Sequence, residues 1–315
     1  MNNSPKRAFI TGVNGFAAIH LCQHLKESGF TVFGMDIQEK PVLDYINYRK
    51  LSLPGNYELD DFLKSTNPLH IYHLAAVSYI PDADLSPYNA IEINLMGTVS
   101  VLEAALRTCP ESQILVVGSS KEYGEADSAT KKITENTNLN PQSFYGITKF
   151  TSELIAKQYG RQFGLDVRFT RSFNHTGPGQ SPKFVCSDWA KQVADIDRGL
   201  TAPRVEVGDL EHSIDFCDVR DVVKAYHLIL KHGKRGDVYN VCSGRTVPLT
   251  EILDYLIRKS GKKIEIIKSD FRIRPGKRKL GIAGDNEKLV SQTGWNPQIG
   301  IDKTLDDLYE CWFNR

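Results

Sequence analysis

The sequence predicts an α/β protein built on a doubly wound, mostly parallel sheet, with a smaller C-terminal α/β domain. Short apolar runs alternate with segments of helical hydrophobic spacing as far as about residue 175, and this alternation implies right-handed crossovers between parallel strands. Beyond Thr176–Gln180 the alternation weakens, and polar loops separate helices from short strands. We therefore expect one domain over residues 1–175, to which later segments return, and a second mainly over residues 176–315.

The composition is that of a soluble globular protein. The chain has 315 residues, of which 41% are hydrophobic, and no apolar run approaches the roughly 18 residues of a membrane span. Its net charge is +1, with acidic and basic residues interspersed, which disfavours binding to nucleic acid or to an anionic membrane. The N-terminus has no signal-peptide pattern, so we expect a cytoplasmic protein.

Cysteine and histidine spacing indicates neither disulfides nor a metal site. The six cysteines are widely scattered without a C-x-x-C pair, and several fall in apolar patterns where a thiol simply packs. His70 and His73 lie in a strand without a third ligand at suitable spacing, so we interpret them as core or edge residues.

The first apolar run, Arg7–Thr11, leads through a glycine turn into an amphipathic helix that reaches about Ser28. Glycines at positions 12 and 15 let the backbone turn tightly and approach a pyrophosphate at the helix N-terminus, as in Rossmann-type nucleotide-binding folds. Ala18 at the third position of the motif still permits close packing of helix on strand. The residues expected at the cofactor are Gly12, Asn14, Gly15, Phe16 and Ala17.

The second strand, Thr31–Met35, ends at Asp36. An acidic residue about 20 positions after the glycine turn accepts hydrogen bonds from the adenosine ribose hydroxyls and repels a 2′-phosphate. We therefore expect NAD(P)H as the cofactor, with NADH favoured by Asp36 and dual use still open.

The next strands also end in residues suited to a ligand cleft. Leu69–Ala76 closes with Leu74, Ala75 and Ala76, whose small side chains leave room for a cofactor, and a helix follows over Asn89–Leu106. The strand 113–118 opens into Ser119 and Ser120, and the strand 167–170 opens into a run that contains Asn174 and His175. Ligands bind beyond the carboxyl ends of parallel strands, so these residues should converge on one cleft.

Tyr145 and Lys149 lie one helical turn apart in a segment that continues as a helix, so they share a face. A nearby ammonium stabilises the phenolate, and the pair can then exchange a proton with a substrate oxygen near neutral pH. The pair predicts acid/base chemistry only in combination with the other motifs, because the same spacing is common in helices.

Cations in the C-terminal region have two interpretations. The segment Phe271–Lys279 is rich in arginine and lysine beside a proline-glycine break, and it forms either a solvated loop or a clamp on a diphosphate. The same alternatives apply to Lys183. The candidate substrate-binding residues are Ser120, Asn174, His175, Lys183, Val185, Arg204, Arg274 and Arg278.

The chain carries an ordered set of motifs: Thr11-Gly12-x-x-Gly15-Phe16, Asp36, Leu74-Ala75-Ala76, Ser119-Ser120 leading to Tyr123-Gly124, and Tyr145-Gly146-x-x-Lys149. This set resembles that of the extended short-chain dehydrogenases/reductases that act on nucleotide sugars. The resemblance covers essentially the whole chain. It implies an NAD(P)-binding Rossmann domain, a nucleotide-sugar-binding domain, a catalytic triad of Ser119, Tyr145 and Lys149, and a homodimer formed through the helix from Asn89 and the helix that carries Tyr145.

Within that family, the run Arg171–Gln180 is most similar to the GDP-4-keto-6-deoxy-D-mannose reductases, which produce GDP-D-rhamnose, and the GDP-mannose dehydratases share its Phe-Asn-His-Thr core. The 4,6-dehydratases typically carry a catalytic glutamate two residues before the tyrosine of the Tyr-Gly pair, where this chain has Lys121. Glu122 is displaced by one position and should point to the opposite face. Ile214 stands where related enzymes often have an arginine near the nucleotide.

Our hypothesis is a reductase in which the reduced nicotinamide delivers a hydride to the C4 keto carbon of a GDP-linked deoxyhexose while Tyr145 donates a proton to its oxygen. Ser119 hydrogen-bonds that oxygen, and Lys149 binds the nicotinamide ribose and keeps the tyrosine proton labile, so Tyr145 and Lys149 also count among the cofactor-binding residues. Ser120 is the alternative serine. The other functions that stay open are a GDP-mannose 4,6-dehydratase, a nucleotide-sugar 4-epimerase and, from another class, a non-catalytic dinucleotide sensor.

Overall fold

The structure is a computed structural model that describes residues 6–125, 132–269 and 281–315. The strands of these residues are, in chain order, β1 (Lys6–Thr11), β2 (Phe30–Asp36), β3 (Asn47–Lys50), β4 (His70–His73), β5 (Gln113–Ser119), β6 (Asp166–Ser172), β7 (Asn174–Thr176), β8 (Arg204–Val207), β9 (Ser213–Ile214), β10 (Phe216–Asp218), β11 (Val238–Val241), β12 (Val247–Pro248) and β13 (Glu265–Lys268).

The helices are α1 (Phe16–Glu27), α2 (Tyr57–Thr66), α3 (Ile80–Leu85), α4 (Pro87–Ala90), α5 (Gly97–Thr108), α6 (Phe144–Phe163), α7 (Val185–Asp197), α8 (Val219–His232), α9 (Leu249–Ser260), α10 (Glu287–Thr293) and α11 (Ile301–Phe313). A π-helical turn, Ile91–Met96, joins α4 to α5, and a 3₁₀ turn, Ser120–Glu122, follows β5.

Seven parallel strands form the central sheet in the order β11-β6-β5-β4-β1-β2-β3. Alternate residues of β1 enter opposite cores: Ala8 and Ile10 pack with α1 and α8, whereas Phe9 packs with α2 and α5. Because side chains alternate across a strand, helices cover both faces of the sheet. The predicted doubly wound α/β fold is thereby confirmed.

The C-terminal part has its own apolar core and smaller sheets. Helices α7, α9 and α11 pack around buried residues that include Trp189, Leu253 and Leu308, and three two-stranded sheets pair β10 with β7, β12 with β9, and β13 with β8. The chain after residue 175 also returns to the central sheet, because β11 pairs with β6 while α8 packs on α1. The division of the domains at residue 175 stays a prediction.

Two elements differ from the sequence prediction. Strand β4 ends at His73, and residues 74–76 follow as a loop that passes close to Gly12. The helix expected over Asn89–Leu106 is interrupted by the π-helical turn, in which the backbone carbonyl of Asn94 accepts hydrogen bonds from Thr98 Oγ1 and Ser152 Oγ. An extra residue in a turn is invisible to hydrophobic periodicity, so the sequence could not show it.

The six cysteines are free thiols, and all of them except Cys311 are buried. His70 and His73 are also buried, and within the described residues there is no group of three or more potential metal ligands. None of the described helices combines the length and the apolar character needed to cross a membrane.

Candidate active site

A large cleft of about 1230 Å³ opens beyond the carboxyl ends of the central strands. The order of the strands reverses between β1 and β4, and the crevice at such a switch point is where doubly wound sheets bind their ligands. Residues from the glycine turn, from the ends of β2, β4 and β5, from α6 and from the C-terminal part all line this single cleft. Its size suits two ligands side by side.

The glycine turn forms the floor of one end of the cleft. Gly12 has φ +67°, and a Cβ there would lie 2.8 Å from the Cα of Ala75, so no other residue fits without moving the backbone. Gly15 is the N-cap of α1 and has no side-chain cap. The free N–H groups of the first turn therefore face the cleft, where Phe16 and Ala17 also line it, and such a helix N-terminus binds phosphate well.

Asp36, at the end of β2, is hydrogen-bonded to the backbone of Asn14 in the glycine turn. The carboxylate of Asp36 accepts hydrogen bonds from the backbone N–H groups of Asn14 at 3.2 Å and Gln38 at 3.3 Å, and Asp36 lines the cleft. Asn14 is not among the lining residues: its side-chain oxygen accepts from the Val42 N–H, and its amide donates to the Lys40 carbonyl. Asn14 thus shapes the loop behind the cleft and does not form its surface.

Tyr145 and Lys149 lie on the first turns of α6, which Ser143 caps by accepting a hydrogen bond from the Gly146 N–H. The ammonium of Lys149 donates to the Val117 carbonyl at 2.8 Å, and burial lowers the pKa of Lys149 to about 8. Burial raises the pKa of Tyr145 to about 12, and a hydrogen bond with Ser119 opposes that rise. The three side chains predicted to form a triad therefore meet at one place.

The turn after β5 sends consecutive side chains in opposite directions. Ser119 Oγ accepts a hydrogen bond from the Lys121 N–H, and the Ser119 N–H donates to Glu122 Oε1 at 2.7 Å. Ser120 and Lys121 line the cleft, whereas Glu122 is fully buried behind it. The cleft wall thus presents an ammonium where 4,6-dehydratases typically present a carboxylate.

Asn174 and His175 line the cleft from β7. The imidazole of His175 stacks on the Phe16 ring, with 6.1 Å between centroids and 9° between planes, and its Nδ1 bonds the Phe173 carbonyl at 3.1 Å. Burial lowers the pKa of His175. A neutral His175 is therefore held in a fixed orientation between the glycine turn and the C-terminal part of the cleft.

The chain after residue 175 contributes Lys183, Val185 and Ile214 to the lining of the cleft. Lys183 spans the cleft mouth, because its Nζ lies 2.9 Å from the carboxylate of Asp82 and 5.2 Å from the centre of the Tyr79 ring. At the far end, His212 Nε2 lies 3.0 Å from Asp209 Oδ2. These groups line the part of the cleft that the chain after residue 175 contributes.

Arg204 lies away from the cleft lining, and its role in substrate binding stays a prediction. Arg204 begins β8 and is exposed outside the cleft, whereas Gly208 and Asp209, beyond the other end of that strand, line it. The sequence predicted this strand but not which of its ends faces the ligand. Arg274 and Arg278 lie outside the described residues.

Sequence reasoning also missed Asn94, which is buried in the π-helical turn. Its side-chain oxygen accepts from the Val77 N–H at 2.7 Å, and its amide donates to Thr148 Oγ1 at 3.0 Å. Asn94 therefore ties the loop after β4 to α6, next to Tyr145 and Lys149. A polar residue inside an apolar helical pattern was the available signal.

The chain is similar to known proteins over nearly its whole length. The model of the GDP-mannose 4,6 dehydratase family matches residues 9–308. The chain belongs to this family of extended short-chain dehydrogenases/reductases. The predicted family is thereby confirmed.

Individual relatives carry several activities. The GDP-6-deoxy-D-mannose reductase of Pseudomonas aeruginosa is 33% identical, with 98% of each chain covered. The structure of RMD from the same species complexed with NADPH has a TM-score of 0.83 and 33% identity, and the match covers 98% of this chain and 99% of that one. A putative epimerase from Burkholderia cenocepacia has a TM-score of 0.87 at 27% identity, over 98% and 99% of the two chains. The fold is thus shared among enzymes of different chemistry.

Proposed function

We propose that this protein reduces the C4 keto group of GDP-4-keto-6-deoxy-D-mannose to give GDP-6-deoxy-D-mannose, also called GDP-D-rhamnose, with NAD(P)H as the reductant. The observation that carries the proposal is the cleft wall itself: Ser119, Tyr145 and Lys149 are assembled for proton transfer, while Lys121 replaces the carboxylate that elimination would require. The 33% identity with the Pseudomonas aeruginosa GDP-6-deoxy-D-mannose reductase supports the same assignment.

The residues at the glycine turn fit a dinucleotide. The close approach of Gly12 to Ala75, the open N-terminus of α1 and the carboxylate of Asp36 offer the backbone room, the phosphate site and the ribose acceptor that such a cofactor needs. When it is bound, the reduced nicotinamide supplies a hydride to the substrate carbonyl. Residues 1–175 would thus bind mainly the cofactor, and residues 176–315 mainly the nucleotide sugar.

Proton transfer is the contribution of the chain. Tyr145 donates its phenolic proton to the C4 oxygen as negative charge develops there, and the hydroxyl of Ser119 hydrogen-bonds the same oxygen. Lys149, held by the Val117 carbonyl, stabilises the tyrosinate that remains. Hydride and proton together convert the ketone to an alcohol, and solvent restores the proton of Tyr145.

We assign the contacts with the diphosphate of the substrate from the positions of positively charged side chains. Lys183 at the cleft mouth offers an ammonium to a diphosphate, although it must first leave the carboxylate of Asp82. Ile214 provides no charge where an arginine is common in relatives. Lys183 and the cation-rich segment that includes Arg274 and Arg278 are therefore our candidates for the diphosphate contacts, with Asn174 and His175 nearer the sugar.

NADH is the cofactor that the surroundings of Asp36 favour, and use of NADPH as well remains compatible with them. The carboxylate of Asp36 faces the cleft, and the ammonium of Lys50, one strand away, is bound by the carboxylate of Glu39. Neither arrangement offers a cation to a 2′-phosphate. RMD from Pseudomonas aeruginosa was nevertheless solved with NADPH, so a direct comparison of the two cofactors is informative.

A homodimer would cover an apolar face on the helices around the active site. This face consists of four apolar side chains that are between 42% and 50% exposed: Ile91 and Met96 from the π-helical turn, and Ile147 and Leu154 from α6. A second copy that places the same helices against this face would bury all of them. Leu154→Asp should then yield monomers in analytical ultracentrifugation, whereas Leu200→Asp, which changes an exposed leucine elsewhere, should not.

A cytoplasmic location fits the free cysteines of this chain, since free thiols persist in a reducing environment.

The test of the activity is absorbance at the nicotinamide band. Purified protein is mixed with NADH or NADPH and with GDP-4-keto-6-deoxy-D-mannose prepared by a separate dehydratase. We expect loss of the reduced cofactor matched by one new GDP-deoxyhexose. Turnover of GDP-mannose without added reductant would show instead that the protein is a dehydratase.

A further inference from the structure

Glu122 is a buried acidic residue directly behind the active site, and the proposed mechanism gives it no role. It is completely inaccessible to solvent. Its Oε1 accepts the backbone N–H of Ser119 at 2.7 Å, which closes a reciprocal capping box over the 3₁₀ turn. Gly118 leaves the necessary space, because a Cβ there would lie 2.4 Å from Glu122 Oε1.

The guanidinium of Arg171 lies near Glu122 but does not form a hydrogen bond with it. The guanidinium of Arg171 binds Glu153 through two hydrogen bonds, of 3.0 and 2.8 Å, and its Nη1 donates to the Tyr123 hydroxyl and the Glu135 carbonyl. Arg171 approaches Glu122 Oε2 only to 3.6 Å, which is too long for a hydrogen bond. Among the described residues, no hydrogen-bond donor reaches Glu122 Oε2.

A second carboxyl group, that of Glu153, lies close to Glu122. Burial, together with the neighbouring carboxyl of Glu153, raises the pKa of Glu122, and the contacts with Ser119 and Arg171 oppose that rise. Glu153, by contrast, has its pKa lowered: burial opposes the shift, but the pairing with Arg171 and with Lys157 outweighs burial. Two buried carboxyls with one well-placed guanidinium are stable when one of them keeps its proton.

We propose that Glu122 is a positioning residue that works as a neutral carboxylic acid: its Oε1 holds the backbone of Ser119, and its Oε2–H donates to the carboxylate of Glu153. The structure thereby fixes the catalytic serine through an uncharged group. The same turn directs Lys121 into the cleft, so Glu122 also sets the orientation of the cleft wall.

An uncharged Glu122 suits the chemistry at Tyr145. Burial is the main reason that the pKa of Tyr145 is raised, and negative charge on Glu122 would raise it further. Negative charge on Glu122 would also raise the pKa of Lys149. On the other side of Glu122, the carboxylate of Glu153 forms ion pairs with Lys157 and Arg171. Keeping the proton on Glu122 removes a negative charge that would oppose formation of the tyrosinate.

Two substitutions separate this role from simple packing. Glu122→Gln reproduces the neutral acid, with an oxygen for the Ser119 N–H and an N–H for Glu153, so kcat should stay near that of the unmodified protein. Glu122→Ala leaves the Ser119 N–H unpaired and should lower kcat on the order of 10²-fold through misplacement of the serine, with little change in KM for NAD(P)H. Glu135→Gln, in the same network but without contact with Ser119, is the matched control.

Infrared spectroscopy measures the proton directly. The spectrum of the unmodified protein at neutral pH should contain the carbonyl stretch of a buried carboxylic acid, and Glu122→Gln should lack that band while Glu135→Gln retains it. Glu153→Gln should also remove the band, because Arg171 would then bind Glu122 as a carboxylate. If Glu122→Ala fails to fold, the kcat of Glu122→Gln and the infrared band of the unmodified protein still test the proposal.

The proposal is overturned if Glu122→Gln loses as much kcat as Glu122→Ala, if Glu122→Ala keeps full kcat, or if the acid band is absent. The kinetic part rests on the proposed reductase function, whereas the infrared part needs no substrate. A protein that shows the band and does not reduce the ketosugar would contradict the function and leave the protonation of Glu122 standing.

Discussion

Lys121 and Glu122 are neighbours in the sequence and lie on opposite sides of the turn after β5: the ammonium side chain lines the cleft, and the carboxyl is buried beneath Ser119. This relationship separates the proposed reductase from a dehydratase on the same fold. Elimination of water needs a base that faces the sugar, and an ammonium cannot serve as one while it carries its proton.

The first prediction concerns the proton donor. Tyr145→Phe removes the phenolic proton but keeps the ring, so folding and cofactor binding should be normal while kcat falls by ~10² to 10⁴. Steady-state oxidation of NAD(P)H with the ketosugar measures the loss. Tyr57→Phe, on an exposed tyrosine of α2, serves as the control, and near-normal turnover by Tyr145→Phe would refute the assignment.

The second prediction concerns cofactor choice. Asp36→Ala removes the acceptor for the ribose hydroxyls and the charge that repels a 2′-phosphate, so the ratio of kcat/KM for NADH to that for NADPH should fall by roughly tenfold, which corresponds to one lost hydrogen bond to a charged group. Asp44→Asn, a nearby exposed carboxylate that does not line the cleft, should leave the ratio unchanged. An unchanged ratio in Asp36→Ala would mean that Asp36 does not contact the ribose.

The third prediction concerns Asn94. Asn94→Ala leaves the N–H of Val77 and the buried hydroxyl of Thr148 without their partner, so the free energy of unfolding should fall by about 1–3 kcal/mol. Because Val77 follows the loop that we propose to contact the cofactor, KM for NAD(P)H should rise as well. Chemical denaturation and kinetics measure the two effects, and Asn94→Asp, which keeps the acceptor for Val77, should retain more stability than Asn94→Ala.

The fourth prediction concerns acid stability. His24 Nε2 and His227 Nδ1 lie 2.9 Å apart, with His70 beside them. Burial, together with neighbouring positive charges, lowers the pKa of His70 and of His227 from 6.5 to about 4. The unfolded chain therefore binds more protons than the folded protein between pH 4 and 6.5, so stability is lost as the pH falls through this window.

We expect a decrease on the order of 2 kcal/mol between pH 6.5 and 4.5, allowing for the partial exposure of His227. Urea denaturation at a series of pH values gives the slope. His227→Gln keeps a hydrogen-bonding side chain and removes one titrating group, so its slope should be smaller. Equal slopes in the two proteins would rule out this cluster as the cause.

Much of the cofactor end of the site could be predicted from the sequence because its chemistry is local. Gly12, Gly15 and Asp36 follow a strand-turn-helix-strand order, and Tyr145 and Lys149 share one helical turn. The rule that ligands bind beyond the strand ends then brings Ala75 and Ser119 to the same cleft. No contact between distant parts of the chain was needed for these predictions.

The rest depends on contacts between distant residues. Arg204 is in a correctly predicted strand but at its outer end, and Asn14 turns away from the cleft because the loop that follows Asp36 folds back onto it. Glu122 could be assigned to the opposite face from Lys121, yet its burial against Arg171 and Glu153 joins three separate elements. Periodicity within one element carries no information about such packing.

The most direct test of the central claim follows a hydride. Reduced cofactor deuterated at the nicotinamide C4 position is incubated with the protein and GDP-4-keto-6-deoxy-D-mannose, and the product is analysed by mass spectrometry and proton NMR. The account predicts one deuterium at C4 of a GDP-6-deoxyhexose. A product without deuterium, deuterium at another sugar carbon, or no product at all with correctly folded protein would contradict it.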